Sequence, residues 1–185
     1  MQNAANVISE SDYGTHALII YQDLQNLRVF YSNYIKIRIE EKNEIVQMAP
    51  FYETADSVRK TLSEGTKTIN LQKSESEDRS LVIIDSLKKY AEHNSPEADN
   101  DFNIGLVQQA KTIQKAGVSI LTDTGAFPFS SREQDLVNYE LSLPSKYDID
   151  LKRLCLFHQN DFDKLSEEQK QKLVNHHSIV IKIET

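Results

Sequence analysis

Cysteine is almost absent from this chain of 185 residues: Cys155 stands alone, so no internal disulfide can form. Tryptophan is missing, and five glycines and four prolines are too few for a collagen-like or low-complexity composition. Basic residues are outnumbered, 21 Lys and Arg against 28 Asp and Glu, for a formal net charge of −7. Binding to a phosphate backbone rests on clustered Lys and Arg, so direct nucleic-acid binding is disfavoured. Long apolar runs are lacking too, the longest falling far short of the ~20 residues that span a bilayer. Met1 to Gly14 carries Glu10 and Asp12 and no basic region followed by an apolar stretch, so it is not read as a secretory signal. These absences lead us to expect a cytoplasmic, reduced protein without a membrane partner.

What remains, 39% apolar and 26% charged residues, is the composition of a folding domain. The length fits one domain, and such a chain buries about 70% of its unfolded surface. We expect a polar leader over 1–14 and a single domain over 15–185. His16 to Tyr21 (HALIIY) reads as a strand covered on both faces. Leu24, Leu27, Tyr31, Tyr34 and Ile35 recur at helical spacing and mark a core face rather than an aromatic ligand cage. Glu44 to Phe51 is a second strand, and Ala55, Val58 and Leu62 predict a helix that Gly65 closes in left-handed conformation. Thr66 to Leu71 is expected as a short strand, and Lys73 to Arg79 as an exposed loop. Ser80 to Asp85 (SLVIID) is the strongest strand, followed by a short helix over Leu87 to His93 and a loop over Asn94 to Asp101. Leu106 to Ala116 is helical, stopped by Gly117 before the strand Val118 to Leu121. Ser130 with Glu133 and Ser166 with Gln169 have capping-box spacing, Leu151 to His158 is a strand, and Ser178 to Ile183 alternates as an edge strand does. About seven strands alternating with helices predict a three-layer α/β fold, a mostly parallel sheet with helices on both faces.

Sites in such folds lie outside the carboxyl ends of the strands, which directs attention to Tyr21 to Asp23, Pro50 to Phe51, Asp85 to Ser86, Thr122 to Asp123 and His158 to Gln159, with Tyr21, Asp85, Thr122 and His158 as the expected lining. Four apolar residues running into Asp85 match the magnesium-side strand of P-loop ATPases. The turn after the first strand, Tyr21-Gln22-Asp23-Leu24-Gln25-Asn26, contains no glycine, and no Gly-Lys-Ser/Thr occurs, so nucleotide hydrolysis is not expected. No closely spaced Cys/His set exists, and Cys155 and His158 face opposite sides of their strand, so no metal or other cofactor is expected. Cys155 reads as a buried small residue, and Glu140 as a solvent-facing acid beside a core Tyr139. No catalytic triad, paired carboxylates or redox motif is present, so the protein is not expected to be an enzyme.

Several pieces nonetheless fall in a familiar order: His16 opening the first strand, Tyr21 at its end, LVIID85, the segment Gly117 to Gly125, Tyr139-Glu140, Leu154-Cys155 within LCLFH158, and Leu173-Val174-Asn175-His176. In this order the chain from about residue 16 onward resembles the MEDS family, the sensory domain of methanogens and methylotrophs first named for the DcmR regulator. The resemblance implies a RecA/KaiC-like fold without a phosphate loop. It also implies sensing of a small molecule, in a family whose members are often joined to DNA-binding or histidine-kinase modules. His158 and His177 stand where that family tends to have Tyr and Pro. No such output module is recognisable here, so output is expected to pass through a separate regulator or kinase, and homo-oligomers are compatible with this reading. The expected function is a sensory domain binding a small ligand of unspecified identity, with Tyr21, Asp85, Thr122 and His158 lining the cleft. His16, Tyr139, Glu140, Cys155 and His176 are motif positions carried by the resemblance. The alternatives are a degenerate ATPase-like interaction module without ligand, or a nucleotide binder with an unfamiliar phosphate loop.

Overall fold

A computed structural model describes residues 2–87, 95–129 and 132–184. Six strands form one sheet: β1 (His16–Tyr21), β2 (Ile45–Ala49), β3 (Leu81–Ile83), β4 (Val118–Asp123), β5 (Leu151–His158) and β6 (Ile179–Ile183). Their order is β3-β2-β4-β5-β1-β6, and every neighbouring pair is parallel. Parallel strands need crossovers, and the helices that supply them cover both faces, which is why β1, β2 and β4 are buried at every position.

Helices α1 (Gln2–Glu10), α2 (Leu24–Lys36) and α3 (Ala55–Glu64) lie on one face, with Ile8, Leu27, Phe30, Tyr34, Val58 and Leu62 packed against Ile19, Tyr21, Met48 and Leu156. Burying each such aliphatic or aromatic side chain contributes about 1.5–3 kcal/mol. The other face is covered by α4 (Pro96–Thr112), α5 (Glu133–Ser142), α6 (Gln159–Lys164) and α7 (Glu167–His176). The face changes with the strand: β1 and β2 run into α2 and α3, whereas β4 and β5 run into α5 and α6. Where adjacent strands send their chains to opposite faces, a crevice opens at their carboxyl ends. The β1/β5 pair, joined by the Tyr21–His158 register, is such a place.

The α/β class and parallel sheet are as expected, and several local expectations are corrected. Among the described residues the sheet has six strands, not seven. Residues 66–71 make no ladder, and the Ile69 N–H instead bonds the Leu62 carbonyl at 2.9 Å, folding the segment back on α3. Lys73–Glu77 is a π-helical turn rather than an open loop. Gly65 is not left-handed, having φ −76°, and the left-handed residue after α4 is Gln114 at φ 58° rather than Gly117. Gly14 does need its missing side chain: at φ +88° a Cβ would stand 2.3 Å from the Tyr147 carbonyl oxygen. The stretch expected as a loop up to Asp101 belongs largely to α4, which Ser95 caps by accepting the Ala98 N–H, with Pro96 in the first turn.

The Ser166–Gln169 capping box is formed in both directions, whereas Ser130 lies outside the described residues and α5 starts at Glu133 without a side-chain cap. The expected helix after Asp85 falls mostly outside the described residues too. The leader contains α1, and Ala5 and Ile8 are fully buried. The Lys152 ammonium clamps its end by donating to the carbonyls of Ile8 and Ser9 at 3.1 and 2.9 Å and to that of Ser11.

Candidate functional site

At the β1/β5 crevice, Tyr21 and His158 end adjacent strands with their rings edge to face, 5.2 Å between centroids. Tyr52, just past β2, tilts against the same His158 ring at 5.2 Å, and its hydroxyl donates to Asp161 in α6. Phe51 packs edge-on against Tyr52 and tilts towards Phe129, which is strongly exposed. Gly125 allows these rings to close: a Cβ there would meet Phe51 at 2.4 Å and Tyr52 at 2.6 Å. The His158 side chain also caps α6, its Nδ1 accepting the Asn160 N–H at 3.1 Å. In a neutral ring this places the proton on Nε2.

Beneath the rings lies Asp123, the last residue of β4 and fully buried. Its Oδ2 accepts from the Tyr21 hydroxyl at 2.8 Å and its Oδ1 from the Gly125 N–H at 3.0 Å, and the Phe51 and Tyr52 N–H groups also aim at it. Burial dominates and pushes its carboxyl up to about 7, the hydrogen bonds only partly opposing it. The Tyr21 and Tyr52 phenols are raised, chiefly by burial and then by their acidic partners. The arrangement offers hydrogen bonds, aromatic faces and an acid that changes charge near neutral pH.

Of the four residues expected to line one cleft, Tyr21 and His158 come together. Thr122 does not join them, because it alternates with Asp123 and faces the other side of β4, level with Cys155. Asp85 lies beyond the end of β3, exposed, and β3 is four strand spacings from β1, roughly 19 Å. It lines a separate open cleft of about 320 Å³ formed by 50–55 and 84–87, to which Tyr52 also contributes. The sequence marks the strand end Thr122 to Asp123, but the residue expected to line the cleft is Thr122; strand alternation instead places its neighbour Asp123, the acid that ends VSILTD, beside Tyr21.

The motif positions meet elsewhere, on the opposite face of the sheet and near the start of β1. His16, Glu140 and Cys155 converge with His177, the residue after α7, so that one donor atom from each lies within 4.8 Å of the others. All four are buried, which corrects the reading of Glu140 as a solvent-facing acid. His16 Nε2 is 3.3 Å from Cys155 Sγ and 3.7 Å from Glu140 Oε2, and His177 Nε2 is 3.6 Å from the same oxygen. Burial pushes His16 down to about 4 and the Cys155 thiol well up. His176 packs beside the His16 ring but directs its Nε2 to the Leu143 carbonyl at 2.9 Å. The Tyr139 hydroxyl accepts from Arg153, whose guanidinium is paired with buried Asp99 at 2.5 Å. Spacing rules could not reveal this set, because its members are spread from residue 16 to residue 177.

Neither a protein-family model nor a curated protein matches the chain. Among solved structures, it is similar to a KaiC-like protein of the hyperthermophilic archaeon Pyrococcus horikoshii. The TM-score is 0.57 at 14% identity, over 92% of this chain and 72% of that one. A second Pyrococcus horikoshii protein superposes with TM-score 0.46 and 9% identity, over 97% of this chain and 86% of that one. The likeness is one of fold: this six-stranded, all-parallel α/β sheet is KaiC-like in architecture.

Proposed function

We propose that this chain is a sensory domain of the MEDS type, which binds a small organic ligand at the β1/β5 crevice and acts through a separate signalling protein, without catalysis. The observation that carries this reading is buried Asp123 at a switch point of the sheet, ringed by Tyr21, Tyr52 and His158. Aromatic walls with a few convergent polar groups suit a small, partly apolar molecule better than a triphosphate. The glycine-free turn after β1 supports the same conclusion, because close approach of backbone amides to phosphate is what glycines there permit. Signalling requires the ligand to favour one of two conformations, since equal affinity for both shifts nothing.

The test is a thermal-shift screen against small organic metabolites, with nucleotides included, because a ligand that binds only the native state raises its stability with concentration. A saturating shift from an organic compound is expected. A shift from ATP with Mg²⁺ alone would replace this reading by a nucleotide binder. A second reading, an interaction module without ligand, is favoured by exposed Phe129 beside the crevice and by Val180 on edge strand β6. Silence across the screen from folded protein would favour that module.

A further inference from the structure

The buried cluster on the other face has a chemistry of its own. His16 Nδ1 lies 2.9 Å from the Pro144 carbonyl oxygen and His177 Nδ1 lies 2.7 Å from that of Leu173. A carbonyl only accepts, so in each ring Nδ1 carries the proton, and a neutral ring then presents a bare Nε2 lone pair inward. The His16 lone pair faces Cys155 Sγ at 3.3 Å and Glu140 Oε2 at 3.7 Å, and that of His177 faces the same oxygen at 3.6 Å. Among the described residues neither Glu140 oxygen nor His177 Nε2 has a hydrogen-bond partner, although the side chains of Glu140 and His177 are at most 1% exposed. Lone pairs and a carboxyl group converging in a dry interior repel one another unless protons or a cation lie among them, and a single thiol proton cannot serve two imidazoles and a carboxylate. Arg153 favours the ionised forms of Glu140 and Cys155 electrostatically, but its guanidinium is paired with Asp99 and is not one of the four converging groups.

We infer that His16 Nε2, Glu140, Cys155 Sγ and His177 Nε2 form a tetrahedral site for one divalent ion of the zinc type. With bonds of about 2.0 Å to nitrogen and oxygen and about 2.3 Å to sulfur, tetrahedral ligands stand roughly 3.3–3.6 Å apart. Three of the six separations, 3.3, 3.6 and 3.7 Å, are close to that size, and all four atoms lie within 4.8 Å of one another. Carbonyls holding the outer ring N–H of each histidine are the usual support of a zinc-binding imidazole. Thiolate plus carboxylate balances a 2+ charge, and binding releases the thiol proton to solvent as the metal–sulfur bond forms. Four protein ligands leave no open position, so the ion is structural: it ties β1, α5, β5 and the end of α7 together. The site is independent of the β1/β5 crevice, since β1 carries His16 and Tyr21 five residues, about 16 Å, apart.

The experiment is metal analysis of the purified full chain after incubation with zinc and desalting, with cobalt(II) substitution as an optical readout of thiolate ligation. About one ion per chain and a sulfur-to-cobalt charge-transfer band are expected. Cys155→Ala should lose the band and weaken metal retention at least tenfold, while His176→Ala should keep both. Folding of each variant is checked by circular dichroism, and the wild-type cobalt spectrum stands as the second measurement should Cys155→Ala unfold. Folded wild type that retains no metal and shows no band would overturn the site, as would full retention by folded Cys155→Ala.

Discussion

Replacing Asp123 by Asn tests whether the acid beneath the crevice is held as strongly perturbed as its surroundings require. Burial raises its carboxyl from 3.8 to about 7 in the folded chain. Below about pH 4 both folded and unfolded chains hold the proton. As pH rises the unfolded chain releases it first, so the folded chain binds more protons and stability falls until the folded group ionises near pH 7. The shift from 3.8 to about 7 corresponds to roughly 4 kcal/mol at 1.36 kcal/mol per unit. Asn has the same shape and does not titrate. Urea unfolding of wild type and Asp123→Asn in parallel, from about pH 4 to about pH 8, isolates this group, because other titrations cancel in the difference. Wild type should lose up to about 4 kcal/mol relative to Asp123→Asn across that range. Tyr21→Phe removes a donor to the carboxylate, so its decline should extend to higher pH. A difference between wild type and Asp123→Asn that stays flat or rises with pH would refute the reasoning.

Gly125→Ala places a methyl 2.4 Å from Phe51 and 2.6 Å from Tyr52, so the rings must move. We expect a stability loss of about 1–3 kcal/mol by denaturant unfolding and weaker binding of any crevice ligand. Lys152→Met keeps the apolar stem but removes the donor to the last carbonyls of α1. It should cost about 1.5–3 kcal/mol and speed hydrogen exchange over residues 5–11 before it affects the sheet.

The fold was legible because the strands are short apolar runs punctuated by amphipathic helices, and burial on both faces leaves little other reading of HALIIY or LKRLCLFH. Where long-range contacts decide, the sequence misled. Ile69 looks like a strand residue, yet its N–H is taken by Leu62 and its side chain by the α3 face of the core. Asp101 sits in a charged, polar stretch that resembles a loop, but Ser95 and Pro96 start a helix ahead of it. At the candidate sites, Tyr21 and His158 were found because strand ends are where sites gather. Thr122 failed by one step of strand alternation, and Asp85 by strand order, which local patterns do not encode. Cys155 and Glu140 were read singly from the sequence as a buried residue and an exposed acid, and only the resemblance grouped them with His16, because their convergence with His177 exists in three dimensions alone.

The most direct test of small-molecule sensing is the saturating thermal shift of the strongest organic ligand, measured on wild type, His158→Ala and Tyr52→Ala with unliganded stabilities recorded alongside. The account predicts that both variants stay folded and lose most of the shift, because both rings form the crevice wall. An undiminished shift in both folded variants would place the ligand elsewhere and contradict the assignment of the crevice.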